Sequence, residues 1–216
     1  MLGFALDPNF RVNGYIYLLY VVDRYHLLNF GTPGYDPNVN EYNAATIGRL
    51  TRYTCTAASG FRAVNLPSRF ILIGETKQTG FPILSYTHGV GSLVFGEDET
   101  LLVSCGDGAT ASGVDQGGGG DDAQGLIDQI IRPKEAVGAL RAQLADSLSG
   151  KVLRIDPATG NGLPSNPYYD AANPRAPRSR VWTVGLRNPY RMSLRPNTGS
   201  HFPEDGNPGV LYVGNV

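Results

Sequence analysis

His88, Asp107 and Arg187 are side chains of types that move a proton or hold an anion, and each stands at the edge of a strand-like run. His88 lies in Thr87-His88-Gly89-Val90-Gly91, just before Ser92 to Phe95, and Asp107 lies in Gly106-Asp107-Gly108, just after Leu101 to Cys105. If those two runs pair as a hairpin, the start of the first neighbours the end of the second, so imidazole and carboxylate fall at one end of the sheet. A carboxylate that accepts from one imidazole nitrogen fixes the tautomer and leaves the other nitrogen free to take a substrate proton. Arg187, in Gly185-Leu186-Arg187-Asn188-Pro189, is a permanent cation with five donors, suited to a carboxylate or a developing oxyanion. Spacing alone leaves plainer readings open: a structural histidine at a strand end, an ordinary Gly-Asp-Gly turn, and an arginine paired with a neighbouring sheet.

Bringing these residues together requires a repeating arrangement of strands. Gly3 to Leu6, a turn through Asp7-Pro8-Asn9 and Asn13-Gly14, and Tyr15 to Val22 read as a hairpin. The unit recurs at Ser92 to Phe95 with Leu101 to Cys105, and again at Met192 to Leu194 with Val210 to Val213, spaced by roughly 90 to 110 residues. Ile47 to Thr54 and Phe70 to Gly74 fall between the first two hairpins; Lys151 to Asp156 and Val181 to Leu186 fall between the last two. Each repeat therefore supplies about four strands, which is one blade of a β-propeller. The expectation is an all-β chain of about two and a half four-stranded blades, with repeats over about 1–80, 81–186 and an incomplete 187–216.

One inserted helix is expected to interrupt the strands. Pro133 suits its first turn, Val137, Leu140, Leu144 and Leu148 share one face at helical spacing, and Gly150 ends it. Residues 29–43, 106–122 and 157–178 are rich in turn formers and read as loops. Within them Gly117-Gly118-Gly119-Gly120 reads as a flexible connection, since no Gly-Lys-Ser/Thr follows to make a phosphate loop.

Composition narrows the function classes. Charged residues are 17% of the chain, against about 25% in typical globular proteins, and 41% are hydrophobic, so the chain suits a packed core. A formal net charge of −1, with no Lys/Arg cluster, argues against nucleic acid as a partner. Cys55 and Cys105 share no short metal-ligand spacing and read as buried free thiols. No run approaches the ~18 apolar residues of a membrane span. No charged and then apolar leader opens at Met1, which by itself does not decide where the protein resides.

The same segments carry a family resemblance. Leu2-Gly3-Phe4-Ala5-Leu6-Asp7-Pro8-Asn9-Phe10 with Gly14-Tyr15-Ile16-Tyr17, His88 with Leu93-Val94-Phe95-Gly96 and Gly106-Asp107-Gly108, Gly150-Lys151-Val152-Leu153-Arg154-Ile155-Asp156-Pro157, and Gly185-Leu186-Arg187-Asn188-Pro189 stand in the order seen in glucose/sorbosone dehydrogenases. The chain resembles that family over nearly its whole length. The resemblance implies a six-bladed propeller that binds pyrroloquinoline quinone (PQQ) and calcium over its central channel and oxidises the C1 hydroxyl of an aldose, in a periplasmic or secreted setting. It implies that His88 is the base, that Asp107 orients it, and that Arg187 and Asn188 contact the quinone. It implies no metal ligand in this chain, because the calcium-binding carbonyls and the rest of the quinone cradle belong beyond Val216. Thr87 departs from the acidic residue found before the histidine in glucose-specific members, and residues 29–43 and 123–149 look like insertions that reshape the rim.

Three function classes follow as expectations. The first is a PQQ-dependent sugar dehydrogenase with a small sugar as substrate. The second is a carbohydrate-binding propeller of the same fold without redox chemistry. The third is a calcium-dependent propeller hydrolase, for which Asp107 and Asn188 are the visible candidate ligands.

Overall fold

The computed structural model describes residues 2–216. In chain order the elements are β1 (Gly3–Leu6), α1 (Phe10–Asn13), β2 (Tyr15–Val21), α2 (Arg24–Asn29), β3 (Thr46–Cys55), β4 (Val64–Ile73), β5 (Phe81–Ile83), β6 (Val90–Phe95) and β7 (Leu101–Cys105). There follow α3 (Gly120–Ile127), β8 (Lys151–Ile155), α4 (Pro177–Arg180), β9 (Val181–Thr183), β10 (Pro189–Leu194) and β11 (Leu211–Asn215). The fold is all-β, and its strand pairs are antiparallel.

Three sheets result. The first runs β1-β2-β3-β4 with β5 also on β3, the second runs β6-β7-β8-β9, and the third is the β10-β11 hairpin. The first sheet therefore has five strands where four were expected. β3 is ten residues long, so one of its edges carries β4 opposite Leu50–Cys55 and β5 opposite Thr46–Gly48. The turn closed by the Gly74 N–H on the Thr79 carbonyl sends the chain back for that second pairing. Among the described residues the sheets do not close into a ring.

The core lies between the first two sheets. Tyr17, Leu19, Leu50, Leu72, Ile73 and Phe81 pack with Val90, Leu93, Leu101, Val103, Leu153, Ile155 and Val181. Burying each such side chain is worth about 1.5–3 kcal/mol, which fixes the register of the strands that carry them. β7 and β8 are buried along their whole length and form the rigid centre of the second sheet. Cys55 and Cys105 are both buried and free, as expected. No helix among the described residues is long and apolar enough to cross a membrane.

The helix expected from Pro133 to Gly150 does not form. Pro133–Glu135 and Gly138–Gln143 are separate 3-10 turns. The break falls at Gly138, whose φ of +55° has no place in a right-handed helix and whose Cβ, if present, would stand 2.2 Å from Asp115 Oδ1. The apolar spacing misleads because Leu140 is 63% exposed while Arg141 is fully buried. The regular helix of this region lies earlier, at α3, and begins inside the four-glycine run. That run is not a free connection, since the Gly117 and Gly118 N–H groups donate to the Asp115 and Asp122 carboxylates.

Candidate active site

β6 and β7 pair with Val90 opposite Cys105, so the turns that carry His88 and Asp107 leave the sheet side by side. His88 Nδ1 lies 3.0 Å from Asp107 Oδ1, and that oxygen also accepts the Ala109 N–H at 2.9 Å. A carboxylate only accepts, so Nδ1 carries the hydrogen, and in the neutral ring the lone pair is then on Nε2. Arg187 arrives from the segment after β9. Its carbonyl accepts the Asp107 N–H at 2.8 Å, and its Nη1 stands 3.8 Å from Asp107 Oδ2.

Backbone packing holds the three segments in register. The Gly106 N–H donates to the Gly89 carbonyl, the Gly108 N–H to His88, the Gly150 N–H to Gly106 and the Leu186 N–H to Gly150. A Cβ on Gly106 would lie 2.3 Å from the His88 carbonyl oxygen and 3.0 Å from that of Arg187, so residue 106 is glycine because three backbones meet on it. His88 itself has φ of +51°, a left-handed conformation uncommon outside glycine that persists only where its surroundings over-determine it.

Burial divides the three side chains by task. The His88 and Asp107 side chains are 9% and 3% exposed, so their hydrogen bond sits where the local dielectric is low and it orients the ring firmly. The Arg187 side chain is 41% exposed and spends Nη2 on the Thr110 carbonyl at 3.3 Å, leaving donors for an anionic oxygen. Asn188 is placed differently: its N–H donates to Asn215 Oδ1 and its carbonyl accepts from Val216, which ties it to β11. The structure thus brings His88, Asp107 and Arg187 together and sets Asn188 one residue away on the sheet edge.

Two clefts reach the surroundings of the histidine. One of about 380 Å³ is lined by Thr87 and Gly89, with Asn43, Ser85 and Tyr86. Another of about 470 Å³ is lined by Asn43, Ser85, Tyr86, Thr110 and Ser112. The first is also lined by Leu2, Val21, Val22 and Ile83, and neither includes His88, Asp107 or Arg187 in its lining. A larger cleft of about 640 Å³, lined by Leu126, Ile130, Ile131 and Leu148 among others, contains none of the expected site residues and is mostly apolar. Thr87 Oγ1 donates to the Ala109 carbonyl at 2.9 Å, tying the histidine turn to the strand exit after Asp107.

Sequence reasoning missed Gly106 and Arg141. Gly106 resembles one half of a turn, and nothing in a single sequence separates a turn glycine from one on which three backbones converge. Arg141 falls inside the segment that reads as a helix, where a charged residue between apolar positions suggests a face turned to solvent. Among the described residues no group of three or more His, Cys, Asp or Glu comes together that could hold a metal ion.

The likeness to known proteins bears on this geometry. No curated protein matches the chain significantly. Among solved structures it is similar to a putative oxidoreductase (glucose dehydrogenase) of Thermus thermophilus, at a TM-score of 0.54 and 23% identity over 91% of this chain and 41% of that one. It is also similar to the soluble aldose sugar dehydrogenase of Escherichia coli in its apo form, at a TM-score of 0.50 and 20% identity over 89% of this chain and 39% of that one. A PQQ-bound aldose sugar dehydrogenase of Streptomyces coelicolor aligns at a TM-score of 0.47 and 21% identity, over 87% of this chain and 36% of that one. At these identities the first two bear on the fold alone, and the chain spans about two fifths of their length. The sequence pattern of the Glucose / Sorbosone dehydrogenase family, in contrast, runs through residues 1–206, and the chain belongs to that family.

Proposed function

We propose that the intact protein is a PQQ-dependent sugar dehydrogenase, periplasmic or secreted, that oxidises the C1 hydroxyl of an aldose. The three sheets would be blades of its six-bladed propeller, with unit boundaries near residues 80 and 186. The observation that carries the reading is a buried histidine–carboxylate pair with a half-exposed arginine beside it, in a chain of this family.

The geometry supports the following roles. Asp107 accepts from Nδ1 and holds the ring so that Nε2 faces away from it with a free lone pair. Nε2 takes the proton of the sugar hydroxyl, and the imidazolium that forms is stabilised by the buried carboxylate. When bound, PQQ would supply the acceptor for the hydride of C1, the carbon that bears this hydroxyl. Arg187 fits an anionic quinone edge, because its guanidinium is partly exposed with unused donors and is anchored on Thr110. Asn188 would lie along the same edge through its tie to β11. Calcium enters only as a family property, since the side chains of this chain gather no metal site among the described residues. Asn43, Ser85 and Tyr86, which line clefts near the histidine turn, would be candidates to meet the sugar's other hydroxyls, and Thr87 would stand where glucose-specific relatives carry an acid.

The test is to load the intact protein with PQQ and calcium and to follow the quinone absorbance while aldoses are added. Reduction of the quinone by at least one aldose is expected. Binding of sugars with no reduction would overturn the dehydrogenase reading and favour a carbohydrate-binding propeller.

A further inference from the structure

We infer that Arg141 is a positioning residue for the His88–Asp107 pair, so that the segment carrying it serves as the foundation of the site. Its guanidinium is fully buried and meets three acceptors. Nε donates to the Glu135 carbonyl at 2.7 Å, Nη2 to Asp122 Oδ1 at 2.5 Å and Nη1 to the Asp107 carbonyl at 2.8 Å. Two of these lie within the segment from α3 to Gln143; the third is the backbone of the residue that orients His88. Asp122 is fixed in turn, since its Oδ2 accepts from the Gly118 and Gly138 N–H groups.

The hydrogen bonds continue past Asp107. Its N–H donates to the Arg187 carbonyl, so the guanidinium holds one side of this residue's backbone and Arg187 holds the other. The carbonyl of Ala142, next to Arg141, accepts both Lys151 Nζ from β8 and the Gly185 N–H, two residues before Arg187. A buried arginine is costly unless every donor it turns inward is matched, and here the matching acceptors connect loops that must agree to within a fraction of an ångström.

The proposal rests in part on the dehydrogenase reading, so its test uses a readout that does not depend on activity. Arg141→Lys keeps the charge but has one nitrogen in place of the three that reach Glu135, Asp122 and Asp107. In the intact protein with isotope-labelled histidines, the ring nitrogens of neutral His88 report the tautomer, and His26 and His201 serve as internal controls. Wild type is expected to show the Nδ1–H form alone. Arg141→Lys is expected to show a mixture at His88 with the controls unchanged, and a kcat lowered roughly 10- to 100-fold with KM altered far less. Asp122→Asn, which keeps the shape and removes the charge, is expected to do the same in smaller measure and covers the case in which the lysine variant does not fold.

A wild-type tautomer and wild-type kcat in the folded variants, whatever happens to their melting temperature, would overturn the proposal. So would a wild-type tautomer in Asp122→Asn alone if the lysine variant fails to fold. If wild type reduces no quinone with any sugar while the tautomer still shifts in the variants, positioning stands and the dehydrogenase reading fails.

Discussion

Gly106 shows how tightly the site is drawn at the scale of single residues. Its backbone does not need a positive φ; what excludes a larger residue is the pair of carbonyls, from His88 and Arg187, on which a Cβ would intrude. Gly106→Ala is therefore expected to lower stability by about 1–3 kcal/mol, the cost of forcing an extra methyl into a filled space, and to disturb the His88–Asp107 contact with it. Gly120→Ala is the control, because nothing lies within 4 Å of a Cβ there and the position opens α3. It should be neutral or stabilising by up to about 1 kcal/mol. Chemical denaturation of both variants checks the contrast, and equal effects would contradict it. At this scale the sequence made His88, Asp107 and Arg187 legible as residues of reactive type at strand edges, and the structure sets them side by side. The reason for Gly106 was not legible, because it depends on segments about 20 and 80 residues away in the chain meeting at one point.

At the scale of elements the centre of the second sheet carries an unusual load. Lys151 opens β8 opposite Cys105 at the end of β7, and both are fully buried. Burial holds the Lys151 ammonium down to about 8 although Ala142 and Ser149 carbonyls accept from it, and burial pushes the Cys105 thiol up. The signs of the two stability effects are opposite. Above about pH 8 the folded protein has released the lysine proton that the unfolded chain keeps to about 10.4, so stability rises with pH. Above about pH 8.5 the unfolded chain loses the thiol proton that the folded protein keeps, so stability falls. Each slope is at most about 1.4 kcal/mol per pH unit, and together they offset. Relative to wild type between about pH 8.5 and 10, Lys151→Met should lose stability with rising pH and Cys105→Ala should gain it, as read from denaturant midpoints. Parallel profiles would contradict both assignments. β6, β7 and β8 were legible from their β-branched and apolar runs; β5 was not, since three residues leave no period to read. The helix expected after Pro133 failed because an apolar stripe says nothing about a buried arginine or a left-handed glycine beside it.

At the scale of the molecule, loops that leave the second sheet and the entry to the third converge on one spot. The His88 and Asp107 turns adjoin β6 and β7, and Arg187 precedes β10, whose Met192 N–H donates to Ser92 on β6. The repeat of the opening hairpin at roughly 100-residue spacing made this architecture readable, because a recurring unit implies recurring edges. The extra pairing of β5 and the support from Arg141 were not readable, since both arise from tertiary contact. If the His88 imidazole removes the sugar proton, its loss should separate chemistry from cofactor binding. His88→Ala and wild type are to be compared in the intact protein, with quinone affinity and sugar turnover measured on the same preparations. Turnover lowered by roughly 10²- to 10⁴-fold with quinone affinity nearly unchanged is expected; turnover close to wild type, or loss of quinone in step with loss of turnover, would show that the imidazole is not the base.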